Sequence, residues 1–236
     1  KQWRKKCGDI YSLYLGQSLV VVINGYELVK EALVKNADAC SDRPYVYFDA
    51  ATGASGRGLT FSSGAIWREQ RAVTMNILRS LGANRNTLAD RIEEIVAINN
   101  ETLANLKGEP TNINDIITTS VANVICSIII GHRFNHGDEQ FLKYCQYLRD
   151  IVVAAEGTNL VNFYPFLHKL PFDLFGAKII KEKAEFILNN FAASFVKQKG
   201  YDEYDENNLS NYIALYVHEM NKKVKAGDPT TMNVEN

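Results

Sequence analysis

The order of hydrophobic and polar positions divides the chain into a β-hairpin at its start and a series of helices after it. Residues 10–15 alternate between two faces, the Gly-Gln-Ser segment at 16–18 is typical of a tight turn, and residues 19–23 form an apolar run rich in β-branched side chains. After Gly25 the apolar residues recur every three or four positions, which predicts a helix that ends near Asn36. The pattern therefore predicts a small antiparallel sheet followed by helices.

Residues 41–64 form the least regular segment of the chain. Pro44, four glycines and several aromatic residues leave no room there for a long helix or strand. Because long loops in compact domains often carry function, this segment is a candidate lid or pocket wall.

From residue 66 onward the apolar residues recur at helical spacing. The first stripe, residues 66–81, ends at Gly82, and Thr87 is typical of the N-cap of the next helix. The helix around residues 117–128 is apolar on all sides and is predicted to be buried. Further stripes cover residues 141–155, 180–195 and 209–220. The predicted fold class is mainly α with a small antiparallel β-sheet, in one domain, because no repeat or flexible linker divides the chain.

The composition is that of a folded protein without a strong charge bias. Of the 236 residues, 46% are apolar and 22% are charged, and the formal net charge is -1. This balance gives no support for nucleic-acid binding through bulk electrostatics. No apolar stretch approaches the roughly 20 residues that span a bilayer. The four cysteines lack zinc-type spacing and the four histidines are scattered, so the sequence predicts no metal site.

The most informative cluster lies between Trp67 and Arg71 (Trp-Arg-Glu-Gln-Arg). On a helix these two residues lie one turn apart on the same face, and Thr74 and Leu78 continue that face. An indole N–H beside a guanidinium is a donor pair suited to a carboxylate or a phosphate. The alternative is structural: a tryptophan packed on an arginine stem as a surface cation–π pair, which on spacing alone is the more common arrangement.

Several segments together resemble the cytochrome P-450 family, in its microsomal animal branch, family two. The Trp-x-x-x-Arg spacing after a glycine-rich loop is similar to the third lettered helix of that family. Residues 20–34 (VVVINGYELVKEALV), 41–44 (SDRP) and 58–64 (GLTFSSG) are similar to the family's early strand and helix and to its approach to the third helix. The most specific segment, residues 123–134 (NVICSIIIGHRF), is nearly identical to a family signature. The resemblance covers essentially the whole chain.

The resemblance implies a truncated cytochrome P-450 fold with haem (iron protoporphyrin IX) as the cofactor. Trp67 and Arg71 match positions that hydrogen-bond a haem propionate, and Arg43 matches a second propionate partner on the preceding loop. Each charge-assisted hydrogen bond of this kind is worth about 1.5–3 kcal/mol.

The resemblance also implies a substrate pocket and a surface for a redox partner. Thr60, Phe61 and Val153 match substrate-pocket positions over the haem. Arg68 and Arg79 lie on a neighbouring face of the same helix, and they are candidates for the basic surface that receives an electron-donating flavoprotein.

Other elements of the family have no counterpart in residues 1–236. In the family the iron is held by a cysteine thiolate near the C-terminus, and none of the four cysteines matches that position. The oxygen-activating helix and the N-terminal membrane anchor have no counterpart either. We therefore expect residues 1–236 to be a single incomplete domain, the N-terminal half of a cytochrome P-450. It would contain no catalytic residue and no metal ligand, and it would be inactive alone.

For the complete protein, the resemblance implies a monooxygenase that inserts one oxygen atom of O2 into small lipophilic substrates such as xenobiotics, fatty acids or steroids. Electrons would come from NADPH through a reductase flavoprotein, with cytochrome b5 as a second candidate partner. The expected location is the cytoplasmic face of the endoplasmic reticulum membrane, and no nucleic-acid partner is expected. The alternative is a non-catalytic truncated product or pseudo-enzyme that at most binds apolar ligands or a partner.

Overall fold

A computed structural model of the chain describes residues 2–44, 46–82, 85–135, 137–193 and 205–233. The chain divides into two compact units. The first unit comprises Lys1–Arg68 and Ile151–Glu182, and the second comprises Glu69–Asp150 and Lys183–Asn236.

Helices dominate the described residues. In chain order the α-helices and strands are α1 (Gln2–Cys7), β1 (Ile10–Leu15), β2 (Ser18–Ile23), α2 (Tyr26–Lys30), α3 (Tyr47–Ala51), α4 (Gly64–Gly82), α5 (Arg85–Asn105), α6 (Ile113–Ile129), α7 (Glu139–Gly157), α8 (Asn159–Phe163), α9 (Ala177–Phe186) and α10 (Tyr212–Ala226). Short 3-10 and π-type turns lie at Glu31–Lys35, Ala37–Cys40, Pro165–Lys169, Pro171–Asp173 and Ile187–Ala192. None of the helices described is both long and apolar enough to cross a membrane. The predicted fold class, mainly α with a small antiparallel sheet, is confirmed.

The two strands form the predicted hairpin in the first unit. β1 and β2 pair antiparallel, with Leu15 opposite Ser18. The loop that joins them has two residues, and Gly16 adopts the positive φ of 61° that such tight turns favour. The turn packs closely on another part of the same unit, because a Cβ atom on Gly16 would lie 2.6 Å from the carbonyl oxygen of Phe163.

The helix predicted after Gly25 is confirmed. α2 begins at Tyr26 and continues as a π-type turn to Lys35, where the side chain of Asn36 donates a hydrogen bond to the Glu31 carbonyl oxygen at 3.0 Å. Between this helix and α4, the described residues include one short α-helix, α3. The predicted absence of a long element there is confirmed, and the role of this segment as a lid or pocket wall stays a prediction.

The later helices follow the predicted stripes, with differences at their ends. α4 is helical as far as Gly82, where the described residues stop before resuming at Arg85, so its predicted end at Gly82 stays a prediction. α5 is already helical at Arg85, so Thr87 lies within its first turn and the predicted N-cap at Thr87 is wrong. α10 begins at Tyr212, three residues after the start of the predicted stripe. The end of the stripe at 180–195 reaches beyond the described residues, which stop at 193 before resuming at 205.

α6 is buried on one side only, and that side is polar. The buried side chains of this helix are Thr119, Ser120, Asn123 and Ser127, and its exposed apolar side chains are Ile113, Ile117, Val121, Ile125 and Ile129. Ser120 donates to the side chain of Asn99 on α5 at 2.7 Å. Buried polar groups require hydrogen-bond partners, and Ser120 and Asn123 find theirs outside α6, on α5 and at Phe134. The prediction that the whole helix is buried is therefore wrong.

Each unit has its own apolar core. In the first unit Val161 and Ile180 are fully buried. The second unit contains an aromatic cluster in which Phe134 stacks on Phe141 with ring centres 4.3 Å apart. Such large, closely packed side chains supply most of the burial energy of a small core.

We expect Gly16→Ala to lower the free energy of unfolding more than Gly53→Ala. Both glycines have a positive φ, so alanine at either position costs about 1–2 kcal/mol in backbone strain. Only at Gly16 would the new Cβ also collide with the Phe163 carbonyl group, whereas nothing lies within 4 Å of a Cβ on Gly53. Urea unfolding of the wild type and both variants measures the difference. Equal destabilisation would show that the turn does not pack on Phe163.

Candidate functional site

Arg43 ties the irregular loop to the start of α4 in the first unit. Its backbone N–H donates to Ser63 Oγ at 2.8 Å, and its Nε donates to the carbonyl oxygen of Thr60 at 3.1 Å. Its Nη1 donates to the carbonyl oxygen of Ser41. These bonds fix the direction of the guanidinium, and Nη2 forms no further hydrogen bond within the described ranges.

The guanidinium of Arg43 lies against Trp67. Its central carbon is 5.9 Å from the centre of the Trp67 ring system, a distance typical of a cation–π contact. Trp67 is half-buried on the first turns of α4. The structure thus brings together Arg43, Trp67 and the backbone of Thr60, residues that the sequence assigned to two different roles.

Arg71 follows Trp67 by one turn of α4 and is exposed. Leu78 continues this face and is also exposed. Thr74 does not belong to it, because its side chain is 8% exposed and hydrogen-bonds the hydroxyl of Tyr212 at 2.8 Å. The exposed face of α4 is therefore narrower than the sequence indicated.

The three predicted pocket residues are placed differently from one another. Phe61 is half-buried, and its carbonyl oxygen accepts from the Gly56 N–H at 3.2 Å, which closes the loop before α4. Thr60 is exposed, and its carbonyl oxygen accepts the hydrogen bond from Arg43 Nε. Val153 lies on α7 with 69% of its surface exposed. The described contacts do not join Val153 to the other two residues.

The two predicted partner-surface arginines are exposed. Arg68 is 65% exposed along its side chain and lies 3.9 Å from Asp38, a distance too long for a strong ion pair. Arg79 is exposed in the last turn of α4, where a basic residue also interacts favourably with the helix dipole.

Glu69, on the same helix, was not singled out in the sequence and accepts four hydrogen bonds. Its Oε1 accepts from Lys223 Nζ at 2.6 Å and from Thr230 Oγ1 at 2.7 Å. Its Oε2 accepts from the backbone N–H and the hydroxyl of Thr231, both at 2.6 Å. We call this arrangement the Glu69 clamp. Burial raises the pKa of Glu69, but the bonds from Lys223, Thr231 and Thr230 outweigh burial and lower it to about 2.

Two further polar contacts lie beside the clamp in the second unit. The hydroxyl of Tyr216 donates to Gln70 Oε1 at 3.0 Å, and Thr74 pairs with Tyr212 as described above. Burial raises the pKa of both tyrosines, so they stay protonated and neutral. Gln70 is almost fully buried, and its Nε2 has no hydrogen-bond partner among the described residues.

The segment that best matched a family signature forms a structural clasp. Asn123 is buried, and its side chain bonds both backbone groups of Phe134, accepting from the N–H at 2.9 Å and donating to the carbonyl oxygen at 3.0 Å. Between them Gly131 has a φ of 67°, and a Cβ there would lie 3.1 Å from the side chain of Asn211. Arg133 pairs with Glu94 at 2.5 Å. This segment holds α6 and the following loop together.

The cysteines are free thiols in different surroundings. Cys7 and Cys40 are exposed, and Cys126 and Cys145 are wholly or partly buried. Burial raises the pKa of Cys126 to about 11 and also raises the pKa of Cys145. Both buried thiols are therefore protonated at neutral pH and are small core residues.

The chain belongs to the cytochrome P450 family, whose sequence model matches residues 1–236. It is 33% identical to cytochrome P450 2C70 of Rattus norvegicus over 169 residues, which cover 71% of this chain and 34% of that protein. It is 32% identical to cytochrome P450 2C3 of Oryctolagus cuniculus over 225 residues, or 93% of this chain and 44% of that protein. It is 36% identical to cytochrome P450 2C54 of Mus musculus over 163 residues, or 68% of this chain and 33% of that protein. The matches span a third to under a half of these relatives' length.

We expect Asn123→Ala to lower the free energy of unfolding by about 1–3 kcal/mol. The substitution removes two hydrogen bonds to the half-buried backbone of Phe134, and each is worth about 0.5–1.5 kcal/mol. Asn36→Ala is the control, since its exposed side chain makes one bond to a backbone carbonyl. Urea unfolding compares the two, and a cost no larger than that of Asn36→Ala would contradict the role of the clasp.

We expect Glu69→Gln to lower the free energy of unfolding by about 1–2 kcal/mol at pH 7, a value reduced for solvent screening of a partly exposed ion pair. The pKa of Glu69 is about 2 in the folded chain and 4.5 without these partners. The stabilisation is therefore complete above about pH 5 and is lost as the pH falls toward the folded value. The gap between wild type and variant should shrink over this range in urea unfolding.

Glu206→Gln is the matched control for this measurement. Glu206 pairs with Lys225 of the same helix, α10, at 3.5 Å, and both side chains are well exposed. We expect a change below about 0.5 kcal/mol there. A pH-independent difference between wild type and Glu69→Gln would contradict the role of the Glu69 charge.

Proposed function

We propose that the chain is the N-terminal part of a haem-dependent monooxygenase. The observation that carries the proposal is the donor set on and beside α4: Arg43 against Trp67, with Arg71 one turn further along the same helix. Membership in the cytochrome P450 family supports it. The short coverage of the relatives supports the view that residues 1–236 are one incomplete domain.

The donor chemistry fits the two propionate groups of a haem. A guanidinium and an indole N–H donate to carboxylates and accept nothing from them. Arg43 is held by two backbone carbonyl groups, with Nη2 left for a further acceptor, so it is preorganised as an anion donor. Arg71 is exposed on the same helix as Trp67 and adds a second positive charge. We therefore assign Arg43, Trp67 and Arg71 to the haem propionates.

When bound, haem supplies the iron chemistry that activates O2. The residues of this chain would bind the cofactor by its propionate carboxylates and orient it. No residue of the chain is assigned a catalytic role, and no cysteine among the four is assigned to the iron. The buried thiols of Cys126 and Cys145 are protonated, which suits packing and does not suit metal ligation.

A small lipophilic molecule, such as a xenobiotic, a fatty acid or a steroid, is the proposed substrate class. The half-buried ring of Phe61 lies in a loop closed by the bond from Gly56 and supplies apolar surface beside Arg43 and Thr60. Val153 is the third proposed pocket residue, and its 69% exposure leaves its side chain available for contact.

The proposed electron donor is an NADPH-dependent reductase flavoprotein, with cytochrome b5 as a second candidate. Arg68 and Arg79 supply exposed positive charge on α4, and the weak pairing of Arg68 with Asp38 leaves that charge available for an acidic partner. For the whole protein we propose the cytoplasmic face of the endoplasmic reticulum membrane as the location.

The second candidate is a non-catalytic product that binds apolar ligands or a partner. The exposed apolar side of α6 favours this candidate, because an apolar ligand or the apolar surface of a partner can bind to it without haem. Sequencing the transcript beyond the codon for Asn236 separates the candidates. A continuing frame with a Phe-x-x-Gly-x-x-x-Cys segment, whose product gives a thiolate-type carbon monoxide spectrum after reduction, supports the monooxygenase. A stop codon supports the second candidate.

In the complete protein, we expect Arg71→Ala to weaken haem retention more than Arg68→Ala. Arg71 shares the face of Trp67, whereas Arg68 lies about 100° round the helix. The loss of one charged donor should cost about 1.5–3 kcal/mol, a fall in haem affinity of roughly tenfold to a hundredfold. The haem-to-protein absorbance ratio after gel filtration measures it.

Arg68→Ala should instead slow reduction by the flavoprotein, and this effect should fade at high salt because it is electrostatic. Reduction rates at low and high ionic strength measure it. Equal haem loss in the two variants would show that α4 is rotated from the orientation proposed.

A further inference from the structure

The Glu69 clamp joins two parts of the second unit that are far apart in sequence. One carboxylate on α4 accepts four hydrogen bonds, from Lys223 at the end of α10 and from the Thr230–Thr231 segment that follows it. The side chain of Glu69 is 18% exposed, and that of Lys223 is 31% exposed. This is more bonding than an ordinary surface ion pair makes, and it occupies both carboxylate oxygens.

Two more hydrogen bonds join α4 to α10. Gln70 bonds Tyr216 at 3.0 Å, and Thr74 bonds Tyr212 at 2.8 Å. Together with Glu69 they attach α4 to α10 at three positions over about one and a half turns. Attachment at three points on a rigid helix fixes both its position and its rotation about its own axis.

The rotation of α4 about its own axis decides where Trp67 and Arg71 point. Thr74 lies about 20° round the helix from Trp67, whereas Glu69 lies on the other side. Glu69 is two residues from both Trp67 and Arg71, about 200° round the helix from each. Side-chain ends lie roughly 5–6 Å from the helix axis, so a 20° rotation moves them about 2 Å. Donor–acceptor distances in hydrogen bonds lie between about 2.7 and 3.2 Å, so a shift of this size takes a donor out of hydrogen-bonding range.

We propose that Glu69 is a positioning residue for the donors on α4: by clamping Lys223, Thr230 and Thr231, it fixes the rotation of the helix that presents Trp67 and Arg71. The effect on haem binding rests on the proposed function, whereas the effect on α4 does not. The charge is essential because a glutamine amide would turn one of the two acceptors into a donor facing other donors.

The test uses Trp67 as a reporter of the helix. The chain has two tryptophans, and Trp3 is exposed on α1, so Trp3→Phe leaves Trp67 as the only one. Three proteins are compared: the Trp3→Phe variant itself, the same variant with Glu69→Gln, and the same variant with Asp150→Asn. Asp150→Asn is the matched control, because Asp150 forms a partly buried ion pair with Lys183 elsewhere in the second unit.

Three measurements are made on each protein at pH 7. Acrylamide quenching reports the exposure of Trp67, amide hydrogen exchange reports the Thr231 N–H, and titration with haemin reports cofactor affinity. We expect Glu69→Gln to raise the quenching constant of Trp67 at least twofold, to abolish protection of the Thr231 amide and to weaken haemin binding at least tenfold. Asp150→Asn should change none of these. Unchanged quenching in Glu69→Gln, with or without loss of Thr231 protection, overturns the proposal.

Two more variants keep the outcomes distinct. If circular dichroism shows that Glu69→Gln is unfolded, the double variant Thr230→Val/Thr231→Val, which keeps the ion pair with Lys223, takes its place. We expect the same direction of change in this variant, and unchanged quenching of Trp67 again overturns the proposal.

Arg71→Ala tests the haem assignment separately. If it leaves haemin affinity unchanged while Glu69→Gln alters Trp67 quenching, the proposed haem site fails and the positioning role stands. If Arg71→Ala weakens haemin binding while Glu69→Gln changes neither Trp67 quenching nor haemin affinity, the proposed function stands and the positioning role fails.

Discussion

A carboxylate that is largely removed from water must have its charge balanced and its lone pairs satisfied, and Glu69 meets both demands with partners 154 to 162 residues away. Removing a carboxylate from water raises its pKa, yet the pKa of Glu69 falls to about 2, so its partners more than offset the cost of burial. The helix that bears it can keep this charge only while α10 and the segment after it are in place. Together with Gln70 and Thr74, Glu69 therefore attaches α4 to α10 in the second unit.

The first unit holds the start of α4 by a different means. Arg43 reaches Thr60 and Ser63 across 17 and 20 residues, and most of its bonds go to the backbone. Contacts of this kind close a loop and need no buried charge, so they cost little to form. The result is an arginine whose direction is fixed and whose charge still faces outward. A donor for an anionic group needs both properties.

Local features were predictable from the sequence, and features that depend on distant partners were not. The hairpin at residues 10–23 and the helix that begins at Tyr26 follow from alternation, spacing and glycine, which act within a few residues. The inward side of α6 depends on Asn99 and on the loop at Phe134, so its hydropathy alone gave the wrong burial. Glu69 stood between Trp67 and Arg71 as an ordinary helix glutamate, and no local signal marks its partners. The contact of Arg43 with Trp67 was not predicted, and Thr74, which was expected on the face of Trp67 and Arg71, bonds Tyr212.

The residues that reveal the family of this chain are not those that would perform its chemistry. Asn123 and Phe134 stand at the two ends of the segment that resembles the family signature, and the buried side-chain amide of Asn123 bonds both backbone groups of Phe134. Arg71, by contrast, is exposed on α4, outside this segment. The most specific part of the family resemblance and the proposed haem donors therefore rest on different residues. Family membership establishes the scaffold, and the role of each donor on α4 has to be measured at that residue.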